Sequence, residues 1–202
     1  MPLLSKVGLV HAQLETIHPF LDGNGRVGRL LITFLLYERQ ALKRPLLYLS
    51  HFFKRNRLEY YDRLQAIRDK GDWEGWLRFF LQGVALVANE ATDVARGIVT
   101  LREEQRGVIQ AKFGRTTADG LRLHEQLFQH PFVSINLVQK LTGKGFSAAG
   151  RLVGQMVESG VLREISGRAR KRVYLNDRYF SLFDDAPGTL SRSESGTITS
   201  ST

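Results

Sequence analysis

Residues 18 to 30, HPFLDGNGRVGRL, place an imidazole, a carboxylate, a Gly-Asn-Gly turn and two arginines in one short stretch that runs directly into an apolar segment. Gly23 and Gly25 on either side of Asn24 allow a tight turn at a helix start, where free backbone N-H groups converge on one spot. Such a spot favours anions, phosphate above all, and Arg26 and Arg29 add fixed positive charge one helical turn apart. Asp22 would repel phosphate unless a cation lay between them, and Mg²⁺ commonly binds through one carboxylate together with phosphate oxygens and water. His18 supplies an imidazole, the side chain suited to take a proton from a hydroxyl that attacks the bound phosphate. The stretch contains no serine or cysteine to act as nucleophile, so the attacking hydroxyl is expected from the substrate. A nucleotide with magnesium satisfies both signs of charge.

Flanking patterns place this turn between two helices. Leu9, Val10, Leu14 and Ile17 precede it at helical spacing, and LLITFLLYERQAL follows, apolar on nearly every side as in a central helix of an all-α core. Aromatic and aliphatic residues from Phe52 to Ile67 predict more helix, and Asp72 is a fitting N-cap for the segment GDWEGWLRFFLQGVALVA. Trp73, Trp76, Phe79 and Phe80 there read as core. From Val84 through Val87, Ala91, Val94, Ile98 and Leu101 to Gln105 and Val108, the spacing alternates threes and fours. This predicts one long helix whose seam packs on its own core or forms a homodimer contact.

Strand signals are confined to the later part. LRLHEQLFQHP, SINLVQKLTG with Ser134 as cap, and SAAGRLVGQMVESG with Ser147 as cap predict three short helices. VLREI and KRVYLN follow as two strands around SGRAR. Three helices and a basic hairpin are the order of a winged helix-turn-helix domain, with Ala149, Leu152, Val153, Met156 and Val157 facing inward. Its hairpin (Arg168, Arg170, Lys171, Arg172) suits DNA phosphates. Arg151 and Gln155 are the long polar side chains offered for base readout, a thin set, so the domain serves either DNA or the positioning of a protein target or second subunit. The expected layout is a catalytic portion over 1–83, a connecting helix over 84–114, the winged helix over 115–183 and a disordered tail over 184–202. The fold class is mainly α, with a small α+β domain.

The 202 residues are 43% hydrophobic, as in a globular protein, and carry a net charge of +9, which favours polyanionic partners or merely keeps the surface solvated. The absence of cysteine excludes disulfides and zinc-thiolate sites and fits the cytoplasm. His11, His51, His124 and His130 lack metal-ligand spacing and read as core or surface residues. No segment reads as a signal peptide or a membrane span.

The motif resembles the HxFx[DE]GNGRxxR signature of Fic-domain proteins at His18, Phe20, Asp22, Gly23, Asn24, Gly25, Arg26 and Arg29. The stretches RPLLYLSHFFKRNRLEYYDRL and GDWEGWLRFFLQGV resemble those of the subgroup with a C-terminal winged helix. The resemblance implies an all-helical core and transfer of AMP from ATP to a Ser, Thr or Tyr hydroxyl of a target protein or of the chain itself. It further implies His18 as general base, Asp22 on Mg²⁺, Gly23 to Gly25 as anion hole, Arg26 and Arg29 on phosphates, and Phe20 as the core anchor of the loop. Asn56 is implied as a nucleotide contact, and equally reads as a helix cap before RLEYY. Family members carry further helices and a β-hairpin flap ahead of the motif, whereas seventeen residues precede His18 here. The N-terminal part of the Fic domain is therefore expected to be missing, along with the inhibitory [ST]xxxE[GN] helix, which leaves Arg29 without an internal brake. The alternative is a DNA-binding winged-helix regulator with an inactive Fic remnant.

Overall fold

The computed structural model describes residues 1–42 and 49–184. The chain divides into two compact units, Met1–Asp93 and Val94–Thr202. The tail expected to be disordered lies, beyond Asp184, outside the described residues.

In the first unit, α1 (Leu3–Ile17) and α2 (Asn24–Glu38) pack on each other, and α1 also meets α4 (Arg57–Lys70). The short α3 (Leu49–Arg55) precedes α4, and the first half of α5 (Trp73–Lys112) completes the unit. Gly71 ends α4 in the left-handed conformation at φ +67°, and the Gly75 amide donates to Asp72 Oδ1 at 2.9 Å, so Asp72 caps α5 as expected. The helices read within 71–88 and from Val84 are one continuous helix. Trp76, Phe79 and Phe80 lie in the core, whereas Trp73 is partly exposed. The Trp76 indole N-H donates to the Gly8 carbonyl at 2.9 Å, so the largest apolar side chain is buried without an orphan donor.

The packing of α1 and α2 differs from the sequence expectation. The buried face of α1 is Val7, Gly8, His11, Ala12 and Glu15, while Ile17 is exposed. Small residues let α1 approach its neighbours closely, which the periodicity of its larger side chains does not report. Helix α2 is not buried on nearly every side: Gly28, Ile32 and Leu36 face inward, and Val27, Leu30, Phe34 and Tyr37 form an exposed apolar stripe.

The second unit contains the rest of α5, a 3₁₀ turn (Gly114–Thr116), α6 (Thr117–Leu127), β1 (Phe132–Val133), α7 (Ile135–Thr142), α8 (Phe146–Glu158), β2 (Arg163–Glu164), β3 (Tyr174–Leu175) and α9 (Asp177–Asp184). The antiparallel sheet has the order β1-β3-β2, with Leu175 opposite both Phe132 and Arg163. The Ser134 hydroxyl caps α7 by accepting from the Leu137 amide, and Gly143 ends it at φ +69°. Ser147 does not cap α8. Extended Gly145 holds that position, and the Ser147 hydroxyl accepts instead from Arg151 within the helix. Ala149, Leu152, Val153 and Met156 are buried, but Val157 is exposed. The strands are shorter than VLREI and KRVYLN suggest, and β1 and α9 were not expected. Their reason lies in contacts distant in sequence: β1 pairs with the free edge of β3, and Asn176 bonds the Pro131 carbonyl and the start of α9 together.

The seam of α5 is occupied within each unit: Val84 and Val87 join the first core, and Leu101 lies buried in the second unit, while Ala91 is exposed. Gln105 is buried because its amide bonds Asn176 (3.0 and 3.2 Å) and His124 (3.2 Å). Fold class is as read from sequence, mainly α with a small α+β part. Among the described residues no helix is long and apolar enough to cross a membrane.

His11 sits in the first core, stacked between Phe53 (5.6 Å) and Trp76 (5.8 Å), with Nε2 3.0 Å from the Tyr60 hydroxyl. Burial lowers its pKa from 6.5 to about 4, an effect the Arg29 charge adds to and the Gly28 backbone opposes. A histidine that is neutral when folded binds fewer protons than when unfolded, so it lends stability above pH 6.5 that is lost as pH falls towards 4. The loss expected from His11 is about 3 kcal/mol, from roughly 1.4 kcal/mol per pKa unit. Urea unfolding across this window should show it, and His11→Gln should flatten the curve; an unchanged slope would refute the assignment.

Candidate active site at the turn between α1 and α2

Helix α1 ends at His18, whose amide donates to the Leu14 carbonyl at 2.9 Å and whose backbone is left-handed (φ 50°, ψ 56°). Pro19 then prevents the helix from resuming, since it has no N-H to donate. Five positions on, Gly23 is also left-handed (φ 85°) and serves as N-cap of α2. Its carbonyl accepts from the Arg26 and Val27 amides. The amides of Asn24 and Gly25 keep no acceptor among the described residues and stand at the positive end of the α2 dipole.

The turn is fastened by Asn24. Its side chain, 2% exposed, accepts from the Phe20 amide (2.9 Å) and donates to the Phe20 carbonyl (2.6 Å). This corrects the expected anchor: Phe20 itself is half-exposed, and its backbone rather than its ring is what holds the loop. It also restricts Asn24, which can offer an anion its amide but not its side chain. The signal in the sequence was an asparagine four residues after Phe20, a spacing that lets a carboxamide mimic a backbone pair.

The glycines serve the arginines as well as the turn. A Cβ on Gly23 would lie 3.4 Å from Arg26 Nη2, and one on Gly25 would lie 3.1 Å from Arg29 Nη1. Each guanidinium therefore folds back over one glycine, which collects both positive charges beside the free amides. Asp22 lies on the same turn. Its Oδ1 accepts from the Gly23 amide (2.6 Å) and its Oδ2 faces Arg26 at 3.5 Å, with both side chains largely exposed. Pairs so open to water are worth little, so Arg26 and Asp22 can be redirected at small cost. No group of three or more acidic or histidine side chains arranged for a metal ion occurs among the described residues. A single exposed carboxylate beside free amides at a helix start fits Mg²⁺ held jointly with phosphate oxygens, and does not fit a cation caged by protein alone.

His18, Asp22, Gly23, Asn24, Gly25, Arg26 and Arg29 are thus gathered on one turn. Asn56 stands apart from it in sequence, at the junction of α3 and α4, half-buried. It precedes α4 but its side chain does not cap that helix, because its Nδ2 donates back to the Phe52 carbonyl at 2.9 Å.

Residues 1–36 match the Fic/DOC family. Over 123 residues, 58% of this chain, the sequence is 30% identical to the protein adenylyltransferase Fic of Culex quinquefasciatus, of which the match covers 23%. Over 71 residues, 35% of this chain, it is 41% identical to the protein adenylyltransferase Fic of Aedes aegypti, of which the match covers 13%. The chain spans less than a quarter of the length of these curated relatives.

A left-handed histidine stores strain of about 1–2 kcal/mol. His18→Gly should therefore unfold at the same or higher urea concentration, by up to about 1 kcal/mol after the entropic cost of glycine. His18→Val, β-branched at the same φ, should be clearly less stable than wild type; equal stability of the two variants would show that the strain is absent.

Proposed function

We propose that this chain is a protein adenylyltransferase acting from the turn between α1 and α2. The carrying observation is that free amides, both arginines and Asp22 converge on the turn that His18 opens. The match of residues 1–36 to the Fic/DOC family and the printed names of the relatives support the same reading.

ATP phosphates would rest on the Asn24 and Gly25 amides with Arg26 and Arg29 around them, and Asp22 would hold Mg²⁺ against the phosphate oxygens. The metal, when bound, offsets phosphate charge and polarises the reacting phosphoryl group. A Ser, Thr or Tyr hydroxyl of the target attacks the α-phosphorus as its proton passes to an imidazole nitrogen of His18. The new O-P bond forms as the bond to the β-phosphate oxygen breaks, and pyrophosphate leaves with its electron pair. Exposure of His18 suits this role, since the hydroxyl arrives from another protein. Asn56 we assign to the nucleotide, where reaching it requires its amide to leave the Phe52 carbonyl.

Incubation with ATP labelled at the α-phosphate, Mg²⁺ and cell lysate should label protein hydroxyls. His18→Ala should lower transfer at least about 100-fold while changing ATP affinity little, because the base acts on the hydroxyl. Transfer that survives this substitution would overturn the assignment.

A second role belongs to the second unit. Its order α6-β1-α7-α8-β2-β3 supports a winged helix, and Arg168, Arg170, Lys171 and Arg172 are all exposed. Of the two side chains considered for base readout, Gln155 accepts from the Thr116 hydroxyl at 2.9 Å and is half-buried, which leaves Arg151. This weakens the regulator alternative and favours phosphate contact without sequence reading. Duplex DNA should then bind at low salt and be lost steeply between about 50 and 200 mM, with a salt slope reduced by about four when the four hairpin cations become alanine. Indifference to duplex DNA at low salt would remove this role.

A further inference from the structure

Beneath α2 lies a buried polar cluster that the transfer reaction leaves unused: His11 and Glu15 from α1 and Tyr60 from α4. Glu15 is 7% exposed, and its Oε1 has no hydrogen-bond partner among the described residues. An unsatisfied buried carboxyl oxygen is costly, so its presence calls for a compensating role. Its seat is specific. A Cβ on Gly28 would stand 2.5 Å from Oε1 and 3.0 Å from His11 Cε1, so a glycine at this position lets α2 close down onto the acid.

Charged and titratable groups on each element around it act on Glu15 electrostatically. Arg29 comes from α2, His18 from the end of α1, and Arg68 from α4, whose Nη2 donates to the Glu15 carbonyl at 2.9 Å. Tyr60 from α4 lies against the carboxyl as well and is 3.0 Å from His11 Nε2. Burial raises the pKa of Glu15, and Arg29 is the strongest influence in the opposite direction. Gly28 and Arg29 are neighbours in the chain, so the group that seats one also fixes the point from which the other departs.

We propose that Glu15 is a positioning residue for Arg29: ionised beneath Gly28, it keeps the guanidinium over Gly25, where nucleotide phosphates meet it. This rests on the reading of Arg29 as a phosphate ligand. The positioning exists only while the carboxyl is charged, so it is present above the raised pKa of Glu15 and lost as pH falls through it.

Calorimetric binding of Mg-ATP to the full chain tests the proposal with Glu15→Gln, Arg29→Ala and their combination. Arg29→Ala should weaken binding strongly. Glu15→Gln keeps the shape of the side chain and should weaken binding about tenfold at unchanged thermal stability, with no added loss in the Arg29→Ala background. The ratio of wild-type to Glu15→Gln affinity should shrink towards one on the acid side, a comparison in which the titration of ATP itself cancels. Glu15→Asp, which keeps the charge, should retain that pH dependence and serves if the glutamine variant does not fold. Binding by Glu15→Gln equal to or tighter than wild type, or an equal penalty in both backgrounds, overturns the positioning role. Wild-type affinity in Arg29→Ala would instead overturn the phosphate reading of Arg29, an outcome distinct from impaired Arg29→Ala beside unimpaired Glu15→Gln.

Discussion

The paired hydrogen bonds from the Asn24 side chain to both backbone groups of Phe20 close the reversal on which the candidate site depends. Between the two helices the chain takes two left-handed residues, His18 and Gly23, and a proline, none of which supplies a repeating hydrogen-bond pattern. Without the carboxamide, the polar groups of Phe20 would turn to water, and the loop would lose the bonds that tie it to the first residue of α2. Because α2 begins there, two amides stay free, and the arginines on its first turns fall back over the glycines.

The electrostatics of the turn are graded by burial. Asp22 and Arg26 are in water, where their attraction is weak and easily exchanged for a ligand. Arg29 is half-buried and acts on the interior, lowering the pKa of His11 and opposing the rise in that of Glu15. Two arginines three positions apart therefore do different work. One is an adjustable surface charge, and the other couples the turn to the core.

Much of this was legible in the sequence because it depends on residue type at fixed spacing. The turn with free amides at a helix start follows from glycines before a helix and nearby arginines, and the caps at Asp72, Ser134 and Gly143 follow from local backbone chemistry. What escaped depends on close approach. The buried face of α1 is built from Gly8, Ala12 and polar His11 and Glu15, so a search for large apolar residues selects the wrong side. Phe20 was misread for a related reason: an apolar side chain suggests an anchor, yet the loop is held through its backbone. Gln155 reads as an exposed base-contacting residue until Thr116, distant in sequence, is brought to it by the fold. Helix α9 and β1 are short and depend on Asn176 and on pairing to β3, neither of which has a local signature.

The left-handed backbone at His18 bears on how such a site persists. A search that ranked substitutions by their stability alone would replace this histidine with glycine, since the local geometry favours it. Redesign of the chain for heat resistance, or drift in a copy released from its duty, would erode the imidazole first and leave the glycines and arginines standing. On the proposed reading, a relative that keeps GNGR but shows glycine at this position would then be a binder that has shed its chemistry.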